Sequence, residues 1–448
     1  MVEIVAVMDV SGVASPTRSR TAGAQFEVAG LTLTAVFSPG DDPSDVDGRP
    51  ARPTAERRSD LSRYYRVEVL EDAAADALAA IREAPGVATA YIKPDVSPPL
   101  WREPERDDAA AALESAQLPD FTAQQGYLAV APNGVGAASA WAQAGGDGAG
   151  VSIIDIEGGW CLTHVDLAGN GGLRGGVAIQ DVGWRDHGTA VLGVMAARRN
   201  GFGVTGIAHA ATVSAFSHNT VGSAGAIQRA ADLLGPGDIL VLEMHRPGPR
   251  YNFRYRNDQL GYIAVEWWPD DFAAIRYAVG RGVTVIEAAG NGAQDFDAPL
   301  YDTPGTGFPD DWINPFNGPD SGAVLVGAGA PAGDAYGPAR SRLSFSNFGS
   351  RLDCQGWGEG VCAPGYNDLY RGRGEHEWYT AQFNGTSSAS PVVAGVAACL
   401  LGISRKRGAL VTPYQLRDLF RDNGSPQTGD LRERIGSLPD LADLISKL

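Results

Sequence analysis

Apolar and polar positions along the 448-residue chain fall into three textures. In residues 1–97 short apolar runs alternate with polar turns. "YYRVEVL" (64–70) alternates residue by residue, which predicts a half-buried strand. "EDAAADALAAIREAPG" (71–86) has acids at its start and a glycine stop, which predicts a helix. "VATAYIKPDV" (87–96) predicts a further strand, so the order is β-α-β and the region reads as a small N-terminal α+β domain. Residues 98–125 are dominated by proline and charge. They predict an exposed linker, open to proteolytic nicking, with one short helix over 107–116.

From about residue 126 the texture changes again. "VSIIDI" (151–156), "ATVSAF" (211–216), "DILVLEM" (238–244), "VTVIEAAG" (283–290) and "AVLVGAGA" (323–330) are continuous apolar runs. Such runs belong to strands covered on both faces, as in a parallel sheet. Helical stretches at 189–197, 223–234 and 271–281 separate them. The alternation predicts an α/β fold, a doubly wound and mostly parallel sheet, over residues 126–448.

Composition narrows the function. A formal charge of −17 and a pI near 4.8 exclude a phosphate-binding basic face, and with it nucleic acid as a partner. No uninterrupted apolar run reaches the ~18 residues that a membrane span needs. The N-terminus "MVEIVAVMDVSGVASPTRSR" has no basic leader and is interrupted by Asp9, so it does not read as a signal peptide. The compartment stays open: cytoplasmic, or exported by a route that the sequence does not display. The four cysteines (161, 354, 362, 399) contain no CxxC pair, which argues against a cysteine-built zinc site. Cys354 and Cys362 are close enough to close a small disulfide loop, and two free thiols fit the sequence equally well.

In a sheet of this kind chemistry gathers at the carboxyl ends of the strands. Asp155 terminates one apolar run, and Asn291 follows another in "VIEAAGNGAQ". Either residue also makes an ordinary turn. His187 stands where a polar turn meets a helix of small residues, "RDHGTAVLGVMAA". Ser387 stands in "FNGTSSASPVVAG", with Pro391 predicting that the buried helix begins within a turn of it. Ser388 is the neighbouring candidate. A serine hydroxyl needs a histidine to take its proton and a carboxylate to hold that histidine. An amide donor for the oxyanion is worth roughly 10²–10³ in rate. The chain offers all four groups, a set suited to acyl transfer.

These stretches resemble the subtilisin-like serine proteases, the subtilases, over about 126–440. "IIDIEGG", "DHGTAVLGVMAA", "AAGN" and "NGTSSASPVVAGVAA" are similar to the family's Asp, His, oxyanion and Ser blocks and come in family order. "GFGVTGIAHAATV" (201–213), "SFSNFGSRLDCQGWGEGVCAPG" (344–365), "TPYQLRDLFRDNGSPQTG" (412–429) and "IGSLPDL" (435–441) also resemble family segments. The resemblance implies a serine endopeptidase that works through an acyl-enzyme on protein or peptide substrates. Ser387 would be the nucleophile, His187 the general base, Asp155 its orienting carboxylate, and Asn291 an oxyanion donor with the Ser387 amide. It implies no cofactor for catalysis. It also makes structural calcium a candidate for the acidic loops 294–302 and 308–320, which solvation alone would equally explain.

The chain departs from the pattern in two places. Ile156 and Glu157 replace the Ser/Thr-Gly that usually follows the Asp, and Asp155 is preferred because it ends the apolar run. Glu243, Met244 and His245 replace a Ser-Leu-Gly step beside the pocket for the residue preceding the scissile bond, with Gly290 next to it. From this, Glu243 is expected to bias the pocket toward basic side chains. The N-terminal unit resembles a subtilase propeptide, which implies an intramolecular inhibitor and a zymogen cut within 98–125; an accessory domain that stays attached is the plainer alternative. An α/β-hydrolase esterase is excluded, since no G-x-S-x-G elbow occurs and the order of the groups is wrong. The remaining rival is a catalytically silent binding protein on the same scaffold.

Overall fold

The computed structural model describes residues 1–9, 25–37, 61–104, 118–303, 308 and 312–448. The helix expected over 107–116 lies outside the described residues.

In the N-terminal region the strands are β1 (Val2–Met8), β2 (Gln25–Val28), β3 (Leu31–Ala35), β4 (Tyr64–Val69) and β5 (Val87–Lys93). They form one antiparallel sheet in the order β2-β3-β4-β1-β5. The β-α-β unit is present, with the helix Ala74–Arg82 joining β4 to β5. The N-terminal strand β1 inserts between those two, so alternate residues Ile4, Ala6 and Met8 bury against Ile81 and Ala90 under the helix.

Among the described residues eleven further strands follow. They are β6 (Ser152–Glu157), β7 (Leu173–Gly175), β8 (Thr212–Ser217), β9 (Ile239–Leu242), β10 (His245–Pro247) and β11 (Tyr262–Ala264). Then come β12 (Thr284–Ala288), β13 (Val324–Gly329), β14 (Cys354–Trp357), β15 (Val361–Pro364) and β16 (Tyr379–Phe383). Seven of them make the parallel sheet β14-β13-β12-β9-β6-β8-β7.

Strand alternation splits the apolar side chains between two cores. Ile153, Ile239, Val241 and Ile286 face the helices Val182–Ala196 and Thr386–Lys406. Ile154, Ile156, Leu240, Leu242 and Val285 face the helices Ser223–Asp232 and Pro269–Gly280. Sheet order reverses between β6 and β9, which opens the crevice where such sheets hold their chemistry.

One expectation changes and an open one is decided. The helix carrying Ser387 starts at Thr386, so Pro391 falls in its second turn rather than its first. A proline there cannot donate to the carbonyl four residues back, that of Ser387. That helix is long and apolar enough to cross a membrane, yet the whole of that stretch is buried, as a core helix would be. The four cysteines are free thiols, with Cys354 on β14 and Cys362 on β15.

The N-terminal sheet is fastened to the α/β part through β5. The Lys93 ammonium meets the Asp270 and Asp271 carboxylates at the start of the helix Pro269–Gly280, the second at 3.0 Å. Tyr91 donates to Asp270 at 2.9 Å, and Arg246 donates to Asp271 at 2.7 Å.

Candidate active site

The site begins at the carboxyl end of β6. Ile153, Asp155 and Glu157 point to the same face, the face of the helix Val182–Ala196. That helix is capped by Asp181, whose carboxylate accepts from the amides of Gly183 and Trp184. It therefore begins seven residues earlier than the small-residue pattern suggested, and His187 lies inside it, fully buried. The His187 Nδ1 stands 2.5 Å from Glu157 Oε1. Its ring meets Phe383 edge-on, with centroids 5.5 Å apart. Nε2, the other ring nitrogen, has no hydrogen-bond partner.

Asp155, the expected orienting acid, does not reach the imidazole. Its Oδ2 accepts from the indole of Trp160 at 2.7 Å. Parity puts both acids on the same face, but only the residue at the end of the strand lies beside His187. Burial pushes the His187 pKa down to about 3 and the Glu157 pKa well up. The Glu103 carboxylate nearby opposes the first shift. In the closed site burial therefore disfavours the charged form of both partners.

Ser387 is the second residue of its helix, and its hydroxyl donates to the carbonyl oxygen of Pro99 at 2.8 Å. Its amide donates to the same oxygen at 3.3 Å. Ser388 turns away and donates to Trp357 O at 2.9 Å. Asn291 follows β12; its Oδ1 accepts from the Thr386 amide at 2.9 Å, and its Nδ2 donates to Gln259 at 3.1 Å rather than to Pro99. Gln259 in turn donates to Pro98 O at 3.3 Å. Gly385 has φ +95°, and a Cβ there would stand 2.1 Å from Pro99 O, so only glycine lets that carbonyl approach.

The segment expected to be an exposed linker therefore runs through this site over 97–104. Ser97 and His245 exchange both backbone hydrogen bonds, at 3.0 and 3.1 Å. Pro99 and Leu100 are buried, and Trp101 stacks on Phe345 at 5.0 Å. Arg102 and Asn384 hydrogen-bond each other twice, each at 3.0 Å.

The expected pocket residues divide. His245 lines the path of this segment and its Nδ1 accepts from the Asn291 amide at 3.2 Å. Gly290 (φ +92°) lies against it; a Cβ there would come within 3.3 Å of the imidazole. Met244 points to the opposite face of the sheet and packs in the core with Leu242 and Val265. Glu243 is also turned inward. Its Oε1 stands 2.5 Å from the Ser390 hydroxyl, which is itself 2.9 Å from Thr386 O. One hydroxyl proton serves both contacts only if the carboxyl carries a proton of its own. Burial, reinforced by the Asp155 and Glu157 carboxyls, pushes Glu243 well up in the same direction. Fully buried and bonded to Ser390, Glu243 gives the expected bias toward lysine and arginine no support in this geometry.

The described acids of the candidate calcium loops have protein partners. Asp297 accepts from Ser350, Asp302 from Asn314 and Asn317, and Asp320 from Arg417. Among the described residues no three His, Cys, Asp or Glu side chains converge as a metal site would require.

A model of the subtilase family matches residues 175–436, more than half of the chain. The chain belongs to the subtilase family. The match begins beyond β6, so the strand with Asp155 and Glu157, where the chain departs most from the family pattern, lies outside it. M-protease of Shouchella clausii (strain KSM-K16) is 30% identical over 262 residues, covering 56% of this chain and 54% of that one. Subtilisin Savinase of Lederbergia lenta is 29% identical over 262 residues, covering 56% and 76%. The matched part thus spans about half the length of the first relative. Two solved structures share the subtilase fold. Fervidolysin of Fervidobacterium pennivorans has a TM-score of 0.53 at 18% identity, covering 86% of this chain and 56% of that one. A protease of Pseudoalteromonas arctica has a TM-score of 0.51 at 21% identity, covering 74% and 99%.

Proposed function

We propose that this subtilase is a serine endopeptidase whose own N-terminal region fills the cleft with its segment 97–102 and inhibits it until the chain is cut. In this reading Ser387 is the nucleophile and His187 takes its proton on Nε2. Glu157, in place of the expected Asp155, fixes the imidazole through Nδ1. The Ser387 amide donates to the developing oxyanion, and Asn291 joins it once its Nδ2 leaves Gln259. The substrates are proteins or peptides, and no cofactor enters the reaction. One observation carries the reading: a peptide carbonyl oxygen, that of Pro99, is held by both the amide and the hydroxyl of Ser387. The amide contact is the one an oxyanion donor makes, and the hydroxyl stands beside the same peptide, where it would turn to the carbonyl carbon as His187 takes its proton.

A catalytically silent binding protein is the second reading. It is favoured by the Ser387 hydroxyl resting on Pro99 and by the Asn291 amide resting on Gln259. Intact mass after incubation, followed by labelling with a fluorophosphonate, separates the two. The wild-type chain is expected to fall into two pieces and then to label, while Ser387→Ala stays whole and unlabelled. A folded wild type that neither splits nor labels selects the binding protein.

A further inference from the structure

We infer that this site cuts on the carboxyl side of proline, and that Pro99–Leu100 is the first bond it cuts. The inference rests on the endopeptidase reading above and adds the substrate class. Residues directly opposite in an antiparallel pair put their side chains on one face, and so do residues two apart on a strand. Ser97 lies opposite His245, and with the segment extended through the two prolines the Pro99 ring falls on the face of the His245 imidazole. On that face the space is already taken. The imidazole packs against the Tyr262 ring with centroids 4.8 Å apart, is held by the Asn291 amide, and closes over Gly290. A long side chain in the place of Pro99 runs into it; a pyrrolidine ring, which folds back on its own nitrogen, does not.

The backbone fits as well. Proline has no N–H, and the segment is held without one at residues 98 and 99: by both backbone groups of Ser97 and by the carbonyls of Pro98 and Pro99. Two consecutive prolines also stiffen the segment in an extended form, which lowers the entropy lost on binding.

The step balances within the chain. Ser387 Oγ bonds to the carbonyl carbon of Pro99 as its proton passes to His187 Nε2. The Pro99–Leu100 bond then breaks and His187 returns the proton to the leaving nitrogen of Leu100. Water, deprotonated by the same imidazole, releases residue 99 as a carboxylate.

The test uses the full chain. The new N-terminus of the wild type is expected to be Leu100, and in a mixture of synthetic peptides bonds after proline are expected to be cut at least about tenfold faster than bonds after leucine or phenylalanine. Pro99→Leu is expected to slow self-cleavage about tenfold, and adding His245→Gly to it is expected to restore the rate by clearing the space. An active enzyme that cuts equally well after large side chains overturns the inference and leaves the endopeptidase reading standing. So does a Pro99→Leu chain that cuts itself at the wild-type rate. A wild type that cuts no bond overturns the endopeptidase reading, and the inference with it.

Discussion

The acid that meets His187 is Glu157, and the reason is the length of a strand. Asp155 and Glu157 point the same way, and a sequence shows both, but it does not show where β6 stops. The nearest signal was the pair Gly158-Gly159 after Glu157, which matches the small residues that follow the orienting acid in relatives better than Ile156 does. The other residues that went unread, Gln259 and Trp160, act through contacts made far along the chain or across a turn, and no local pattern announces those. Ser387, His187 and Asn291 stand out in the sequence because each falls where an apolar run meets a polar stretch. The two acids are separable by experiment. Glu157→Gln is expected to slow peptide hydrolysis by about 10³–10⁴, the scale for losing the group that holds the tautomer. Asp155→Asn, which keeps an acceptor for Trp160, is expected to cost less than about tenfold. Steady-state rates on one peptide decide it, and the reverse order contradicts the Glu157 assignment.

At the scale of elements, five of the seven parallel strands were read to within a residue or two because strands covered on both faces are continuous apolar runs, while the edge strands β7 and β14 were not read. The helices were read less well at their starts. The helix with His187 opens on "VGWRD", which has no apolar periodicity, and it is Asp181 that starts it. Its small residues have a specific task. A Cβ on Gly188 would stand 2.4 Å from Gly159 O and 2.4 Å from the Trp160 ring. Neither neighbour is the free end of a flexible chain, so the helix would have to back away from the end of β6. Gly188→Ala is expected to destabilise by about 1–3 kcal/mol, the usual cost of overpacking. It is also expected to draw His187 off Glu157 and lower activity. Denaturant midpoints in a Ser387→Ala background, where self-cutting cannot intervene, measure the first effect; an unchanged midpoint contradicts the packing argument.

For the whole molecule, the division into a small α+β domain and a doubly wound sheet was plain in the change of texture near residue 126, but the path between them was not. Proline and charge in 98–125 read as an exposed linker, because composition does not reveal that Ser97 has a partner strand end waiting at His245. Behind that segment the N-terminal sheet docks on a buried ion cluster with two cations, Lys93 and Arg246. Lys93 is 1% exposed and neutralises Asp270 and Asp271, with Glu3 4.0 Å away. Arg246 is the other cation on Asp271 and is itself held by Pro94 O. Replacing Lys93 with methionine keeps much of its volume but leaves the Asp270 carboxylate without its cation in the interface. Breaking a buried pair from one side costs about 3–5 kcal/mol. If the sheet docks as a unit, that cost appears as opening of β5 and of the segment beyond it, while the seven-stranded sheet stays closed. In the Ser387→Ala background, Lys93→Met is therefore expected to raise amide hydrogen exchange in 87–102 roughly a hundredfold and to leave β9 and β12 unchanged. On the endopeptidase reading, the same change in the otherwise wild-type chain is expected to shorten any lag before added peptide is turned over. Exchange in 87–102 that does not move would mean that the apolar contacts of Tyr91 and Leu100, and not the ion cluster, keep the segment in place.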